Sequence, residues 1–501
     1  LASEIAPYTS RDSAAAGIFS APQTPVEWVN WLYSKLLRNK QTYLKYQAYY
    51  DGLHQKLVFS QIRYHNQYGK MFAQWSDNFS GLIIDSVNER MSIDGFRMTE
   101  GDTEADKVAR SIWQHNYMDS ESSTGNLEAL ISGVSYVIVW GDKDGEPIIS
   151  VESPLEVVVE YKPGSRRELL AGAKFYKDAW GKEYGTLFLP EMVYTFDMNG
   201  LAAMAVGNGD PNPMGEVPIV PLLNRTRLAS DPVSDLQPVI PIQNAINKVT
   251  ADALVASEYA AWPQRWVTGL EIQEDENGKP KEPWDPGISK ILQSDDPKSK
   301  FGQFEAADLS NYVTLVDMLV QHLAAVTRIP FSYMLANKSS APSGEANATA
   351  EAGLIAKTRD RMTHLGEGWE RVMRLAFKVK GKYKDEMFSA EIIWRDPENR
   401  TEAQHMDALI KQKELGVPRD ELLSAAGYTP AQIERFREMR IQDAKDLAEI
   451  QKYMPKPEAP VGPDGKPVSQ PGDKAAAMAK KPPQGNAGNQ ARKQKDASLA
   501  K

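Results

Sequence analysis

Cysteine is absent from all 501 residues, which removes disulfides, thiolate metal sites and cysteine nucleophiles together. Histidine is scarce: His54, His65, His115, His322, His364 and His405 are the whole set. No two of them stand at i, i+4, and the H-E-x-x-H pattern of zinc hydrolases does not occur. No run of eighteen apolar residues is present, so no membrane-spanning helix is expected. The opening stretch LASEIAPYTSRDSAAAGIF lacks the basic and apolar regions of a signal peptide. Positive charge is also short. Lys and Arg number 58 against 67 Asp and Glu, a net charge of −9, whereas a general nucleic-acid binder carries a basic stripe to meet phosphates.

The marks of enzyme chemistry are missing as well. No G-x-S-x-G elbow occurs. Gly462-Pro463-Asp464-Gly465-Lys466 imitates a phosphate loop but has the wrong spacing, and a proline follows its lysine. Gly207-Asn208-Gly209-Asp210-Pro211-Asn212-Pro213 lacks the alternating ligands and distal glutamate of a calcium loop and reads as a surface turn. No catalytic residue, cofactor or metal is therefore assigned.

What is present describes an ordinary globular chain, 42% hydrophobic and 25% charged, long enough for several domains. Residues 1–23 read as a loose arm. Thr24-Pro25-Val26-Glu27 is a capping box with proline at the first helical position, and Trp28, Trp31, Leu32 and Leu36 give the following helix one apolar face. Residues 71–92 read as a second helix. From 131 to about 223 β-branched and aromatic runs alternate with turns, starting with VSYVIVW, the turn Asp142-Lys143-Asp144-Gly145 and EPIISVES, a hairpin by composition. The expected architecture is α+β, with a mainly antiparallel sheet region.

Helices return after 231. The first, over 231–262, is disturbed at its start by Pro238 and Pro241 and has Ile242, Ile246 and Val249 on one face. The second, over 308–329, repeats Leu309, Val313, Val316, Leu319 and Leu323 and is ended by Pro330. Between them, 263–307 mixes turns and short strands and contains the acidic turn Glu274-Asp275-Glu276. Residues 331–345 read as a loop of small polar residues. A long helix follows to about 379, with Leu354, Met362, Leu365, Trp369, Val372 and Ala376 on one side. The strand SAEIIW and three further helices complete the order, with capping signals at Thr401 and Thr429 and a closing Gly416. From 454 onward the chain holds eight prolines, many lysines and almost no large apolar residue, a composition expected to stay disordered.

Several stretches, taken in order, resemble the portal proteins of long-tailed (siphovirus-type) bacteriophages, particularly the branch found in phages of actinobacteria. They are YYDGLHQKL, DNFSGLIIDSVNERMSIDGFR, SGVSYVIVWGDKDGEPII and MGEVPIVPLLNRTRL, then SDLQPVIPIQNAINKVTADALVASEYAAWPQRWVTG. DLSNYVTLVDMLVQHLAAVTRIPFSYM and PSGEANATAEAGLIAKTRDR follow. Together they span roughly residues 25–450.

The resemblance implies a structural, non-enzymatic ring of about twelve copies at one capsid vertex. It also implies a wing (24–230 with 346–396), stem helices (231–262 and 308–329), a clip (263–307), a tunnel loop (330–345), a crown (397–453) and a disordered tail (454–501). Its implied partners are double-stranded DNA in the channel, the terminase large subunit, a head–tail connector, and the major capsid and scaffolding proteins, in a virion assembled in the host cytoplasm without membrane contact. Asn337, Lys338, Ser339 and Ser340 are then the residues expected to touch DNA, and Glu274, Asp275 and Glu276 an acidic clip face. The alternatives are a different head–tail connector, usually a shorter chain without paired helices around an insertion, and a nucleic-acid enzyme, which would need a phosphate loop.

Overall fold

The computed structural model describes residues 21–53, 77–99, 103–200, 203–228, 231–261, 265–269, 297–305, 308–334, 344–398, 402–428 and 430–453. The chain divides into two compact units, 1–411 and 412–501.

The first unit starts with α1 (Pro25–Tyr50), entered through the expected capping box: Thr24 Oγ1 accepts from the Glu27 amide and the Glu27 carboxylate accepts from the Thr24 amide. The second helix, α2 (Phe79–Asn88), is shorter at its C-terminal end than the 71–92 pattern predicts. Glu89 and Arg90 already lie in a turn, and the chain goes on into strand β1 (Ile93–Arg97). Helices α3 (Thr103–His115) and α4 (Met118–Ser132) follow.

Strands β2 (Val134–Gly141), β3 (Pro147–Glu152) and β9 (Ile219–Leu223) form one antiparallel sheet in the order β3-β2-β9. Strands β4 (Val157–Tyr161), β5 (Leu169–Lys177), β6 (Glu183–Phe188), β7 (Met192–Asp197) and β8 (Met204–Pro211) form a five-stranded antiparallel meander. The apolar runs of β2 and β4 are long because these two strands bury both faces. In β2, Val134, Tyr136 and Ile138 point into the core between the sheets, while Val137 and Val139 point to the helical side. In β4, Val157 and Val159 join the inter-sheet core and Val158 joins the core under α1. The stack is thus α1, meander, three-stranded sheet, helices.

The helical side is closed by α8 (Gly344–Val379), whose Leu354, Met362, Leu365, Trp369, Val372 and Ala376 are all buried, as their spacing predicts. Gly368 lets α8 approach the sheet, since a Cβ there would meet Leu222 Cδ2 at 2.5 Å. After a short 3-10 turn, β12 (Glu391–Trp394) pairs antiparallel with β1, its partner from the far end of the unit.

Two expectations need correction. Gly207 to Pro211 do not form a turn; they belong to β8, the exposed outer strand of the meander. Gly207 and Gly209 sit at φ +82° and +83°, and the β7–β8 register slips between Val193 and Thr195, the geometry of a bulge that spoils a sheet edge for further pairing. Second, the 331–345 segment does not start as loop. Phe331–Met334 is a helical turn, α7, with Met334 buried. Residues 335–343 lie outside the described residues, as do the tail, Thr401 and Thr429.

Between the sheets and α8 the chain makes α5 (Ile240–Ala261), the ribbon β10 (Arg265–Thr268) and β11 (Lys300–Gln303), and α6 (Ser310–Thr327). Pro241 falls in the first turn of α5, where its missing amide costs no helical bond. Helix α9 (Glu402–Glu414) leads into the second unit, which holds α10 (Arg419–Ala425) and α11 (Pro430–Tyr453). There Asp420 accepts from Arg437 at 2.8 Å and from Arg440 at 2.9 Å, and Tyr428 meets Phe436 edge-on at 5.3 Å. Gly416, at φ +88°, closes α9 as expected.

Candidate functional site

The paired helices α5 and α6 stand out because the root of α5 is held by buried polar groups while much of α6 is uncovered. The root of α5 is the segment 232–239. Gly133, at φ +90° just past α4, makes room for it, since a Cβ there would lie 2.9 Å from the Pro232 carbonyl. Ser234 donates its hydroxyl to the Ile131 carbonyl, and the Asp235 amide donates to Leu130 at 3.1 Å. The carboxylate of Asp235, 3% exposed, takes a hydrogen bond from Arg361 at 3.0 Å and from Asn224 at 3.1 Å, and the Lys357 ammonium lies at 3.0 Å. Burial pulls this carboxyl upward, but Lys357 and Arg361 outweigh it and hold its pKa below the ordinary value. Asp360 pairs with Arg361 from the outer side, so the cluster is close to neutral.

The first turns of α5 are fastened by three amides. Gln243 and Asn247, one turn apart and buried, face the start of α2. The Gln243 carbonyl accepts from the Phe79 amide at 3.1 Å and its NH2 donates to the Asp77 carbonyl. Asn247 accepts from Gln243 at 3.1 Å and from the Asp77 amide at 3.2 Å. Asn244 accepts from the Tyr49 hydroxyl at 2.8 Å, which ties in the end of α1. None of these was singled out from sequence. The available signal was amides recurring at i, i+4 on an otherwise apolar helix, where a buried polar side chain needs a partner.

Helix α6 buries only its later part, at Val320, Leu323, Ala324 and Thr327. Val313, in the same apolar register, is 61% exposed. On the opposite side Leu315, Met318 and Val326 are exposed, with His322 and Ala325 beside them. This is an apolar stripe that the chain itself leaves uncovered. The ribbon at the far end adds Trp266, which lies across Gly302, together with exposed Phe301 and Phe304.

The acidic-turn residues Glu274, Asp275 and Glu276 and the loop residues Asn337, Lys338, Ser339 and Ser340 lie outside the described residues. Among the described residues no cluster of His, Asp and Glu is arranged to hold a metal, and no helix is long and apolar enough to cross a membrane. A crevice beside Lys35 is lined by Tyr43, Tyr136, Tyr161 and Asp231. Burial raises the phenol of Tyr136 well above its usual range and that of Tyr161 to about 12, so both stay protonated at neutral pH.

The family model for phage portal proteins of the SPP1 Gp6-like type matches residues 30–446. The portal protein of Mycobacterium phage L5 is 31% identical over 389 residues, 73% of this chain and 78% of that protein. The portal protein of Mycobacterium phage D29 is 30% identical over 384 residues, 72% and 78% of the two chains. The chain therefore belongs to the SPP1 Gp6-like phage portal protein family. A chain in the virion of a native gene transfer agent particle aligns with a TM-score of 0.41 at 13% identity, covering 75% of this chain and 96% of its own; at that score it adds nothing to the assignment.

Proposed function

We propose that copies of this chain close into a ring of about twelve at one vertex of the virion, through which DNA enters and leaves. The chain acts as a structural subunit without a catalytic step of its own, and the ring docks the terminase large subunit, later a head–tail connector, and the surrounding capsid and scaffolding proteins. The observation that carries the ring is the uncovered stripe of α6, on the face opposite its buried one. A ring needs two different patches on each copy, and a helix that is apolar on both sides supplies one of them. In this reading 24–230 with 346–396 is the wing, and α5 and α6 within 231–262 and 308–329 are the stem. Residues 263–307 are the clip, 330–345 the tunnel loop and 397–453 the crown.

Single-particle imaging and native mass of the purified chain test the ring. Closed rings with a hole wide enough for duplex DNA are expected, and a compact monomer at high concentration and in virions would sink the reading. Lys338 is the one charged residue in 331–344, and with Asn337, Ser339 and Ser340 it would present a circle of single cations to phosphates. Lys338→Glu should leave rings intact and impair DNA packaging; normal phage yield would remove the charge from the account. The acidic clip face at Glu274, Asp275 and Glu276 would leave DNA free to slide.

A further inference from the structure

Between Glu27 and Asp51 helix α1 carries Lys35, Arg38, Lys40 and Lys45 and no carboxylate. Lys35 is engaged within the unit, where it meets Glu160 at 3.0 Å. The other three flank two exposed leucines, Leu37 at 46% and Leu44 at 39%, which stand two turns apart on one face. At helical spacing Lys40 borders that face on one side, and Arg38 and Lys45 border it on the other. Among the described residues neither Lys40 nor Lys45 has an acidic partner. The outer face of α1 is therefore apolar along its middle and basic along both margins.

A groove of opposite charge opens between α8 and β12. It measures about 500 Å³, and Met362, Ile392 and Trp394 form its apolar lining. Gly366 lets β12 come this close to α8, since a Cβ there would meet Ile392 Cγ2 at 3.0 Å. Glu367, Glu370 and Glu391 line the same groove. Its two cations are already paired, Arg359 with Asp396 at 3.2 Å and Arg395 with Asp94 at 2.9 Å. Glu370 accepts from the Ile392 amide at 3.3 Å, while Arg374 is held by the Phe388 carbonyl at 3.2 Å. Burial pushes the Glu370 carboxyl up despite that amide, and the charges of Glu367 and Glu391 push the same way. These carboxylates form no metal-holding group. What relieves their repulsion is a basic side chain from outside, carried on an apolar surface.

We propose that the Leu37–Leu44 face of α1 docks in the α8–β12 groove of a neighbouring copy, where Lys40 and Lys45 meet Glu367 and Glu391. The leucines then cover the apolar lining and the charges form the margin, the usual division of a protein interface. Helix α1 covers the outer side of the meander, and α8 closes the opposite, helical side of the stack. One chain thus presents both halves of the contact on different sides, and copies joined this way follow head to tail, the arrangement that closes into rings. The inference rests on the ring reading and adds to the α6 stripe a pair of patches that match in charge.

Reciprocal charge reversal tests it, read as the concentration at which the full chain assembles in sedimentation or native mass across a dilution series. Glu367→Lys with Glu391→Lys should raise that threshold about tenfold or more, because like charges then face each other. Lys40→Glu with Lys45→Glu should do the same. The melting temperature of the unassembled chain should stay nearly unchanged in both. All four changes together should bring the threshold back toward the wild-type value, since the pairs are restored with their signs exchanged. Leu44→Ser, which leaves every charge in place, should raise the threshold with and without the four reversals. A wild-type threshold in either reversed pair, no recovery in the combination, or no effect of Leu44→Ser would each overturn the contact and leave the ring reading standing. Recovery in open filaments rather than closed rings would uphold the contact and sink the ring reading. A wild type that stays monomeric at every concentration would overturn both.

Discussion

Asp235 and Arg361 are 126 positions apart in the chain, and their charged ends meet at 3.0 Å inside the protein. The contact links the root of α5 to the middle of α8, and Lys357 completes it from one turn earlier on α8. Asp235→Asn removes the counter-charge from two cations whose side chains are 9% and 7% exposed. Breaking a buried pair in this way costs about 3–5 kcal/mol, and the loss should appear in denaturant unfolding. Asp235→Asn combined with Lys357→Met should recover part of it, since one buried charge then goes with its partner.

The same cluster fixes a pH dependence. The Asp235 carboxyl has a folded pKa below its ordinary value of 3.8. A carboxyl depressed on folding stabilises above its unfolded pKa, and the benefit is lost as pH falls through the folded value. The melting-temperature gap between wild type and Asp235→Asn should therefore be full at neutral pH, begin to close below 3.8, and narrow further toward strong acid. A gap that stays constant down to about pH 2 would show that Asp235 does not titrate with folding.

Two glycines with similar backbone angles separate conformational strain from crowding. Gly133 and Gly145 sit at φ +90° and +78°, and a Cβ at Gly145 would meet nothing within 4 Å while one at Gly133 would press on the Pro232 carbonyl at 2.9 Å. Gly145→Ala should cost about 1–2 kcal/mol, the left-handed penalty alone. Gly133→Ala should cost more, because the root of α5 must also shift. Equal losses in thermal unfolding would mean the approach of Pro232 carries no energy.

The elements themselves were largely legible. The apolar period of α8 predicts its buried side residue by residue, and the capping box at Thr24 marks the start of α1 to the residue. These signals are local, set by side chains a few positions apart. What escaped is non-local or context-dependent. The β1–β12 pairing joins Phe96 to Ile392, and nothing near either residue specifies the other. The Gln243–Asn247 fastening uses residue types common on surfaces, and only the fold reveals it as buried. Val313 shows the opposite failure: it keeps the apolar register of α6 yet is exposed, because the first half of that helix extends past the groups that cover the second.

That uncovered length leads to the last expectation. Met318 is 42% and Leu315 40% exposed on the free side of α6. Substitution at exposed positions away from special features changes folding stability by within about 0.5 kcal/mol, so Met318→Asp should leave the melting temperature of the single chain almost unchanged. If the stripe packs against a neighbouring copy, the same change places a carboxylate in every repeat of the interface. Burying a methionine contributes about 1.5–3 kcal/mol, and an unpaired buried charge adds a further penalty. The concentration needed for assembly should then rise by about tenfold or more, from 1.4 kcal/mol per decade. Sedimentation or native mass across a dilution series reads that threshold. Rings forming at the wild-type concentration would place the contact between copies elsewhere, and a falling melting temperature in the unassembled chain would mean Met318 supports the fold rather than the assembly.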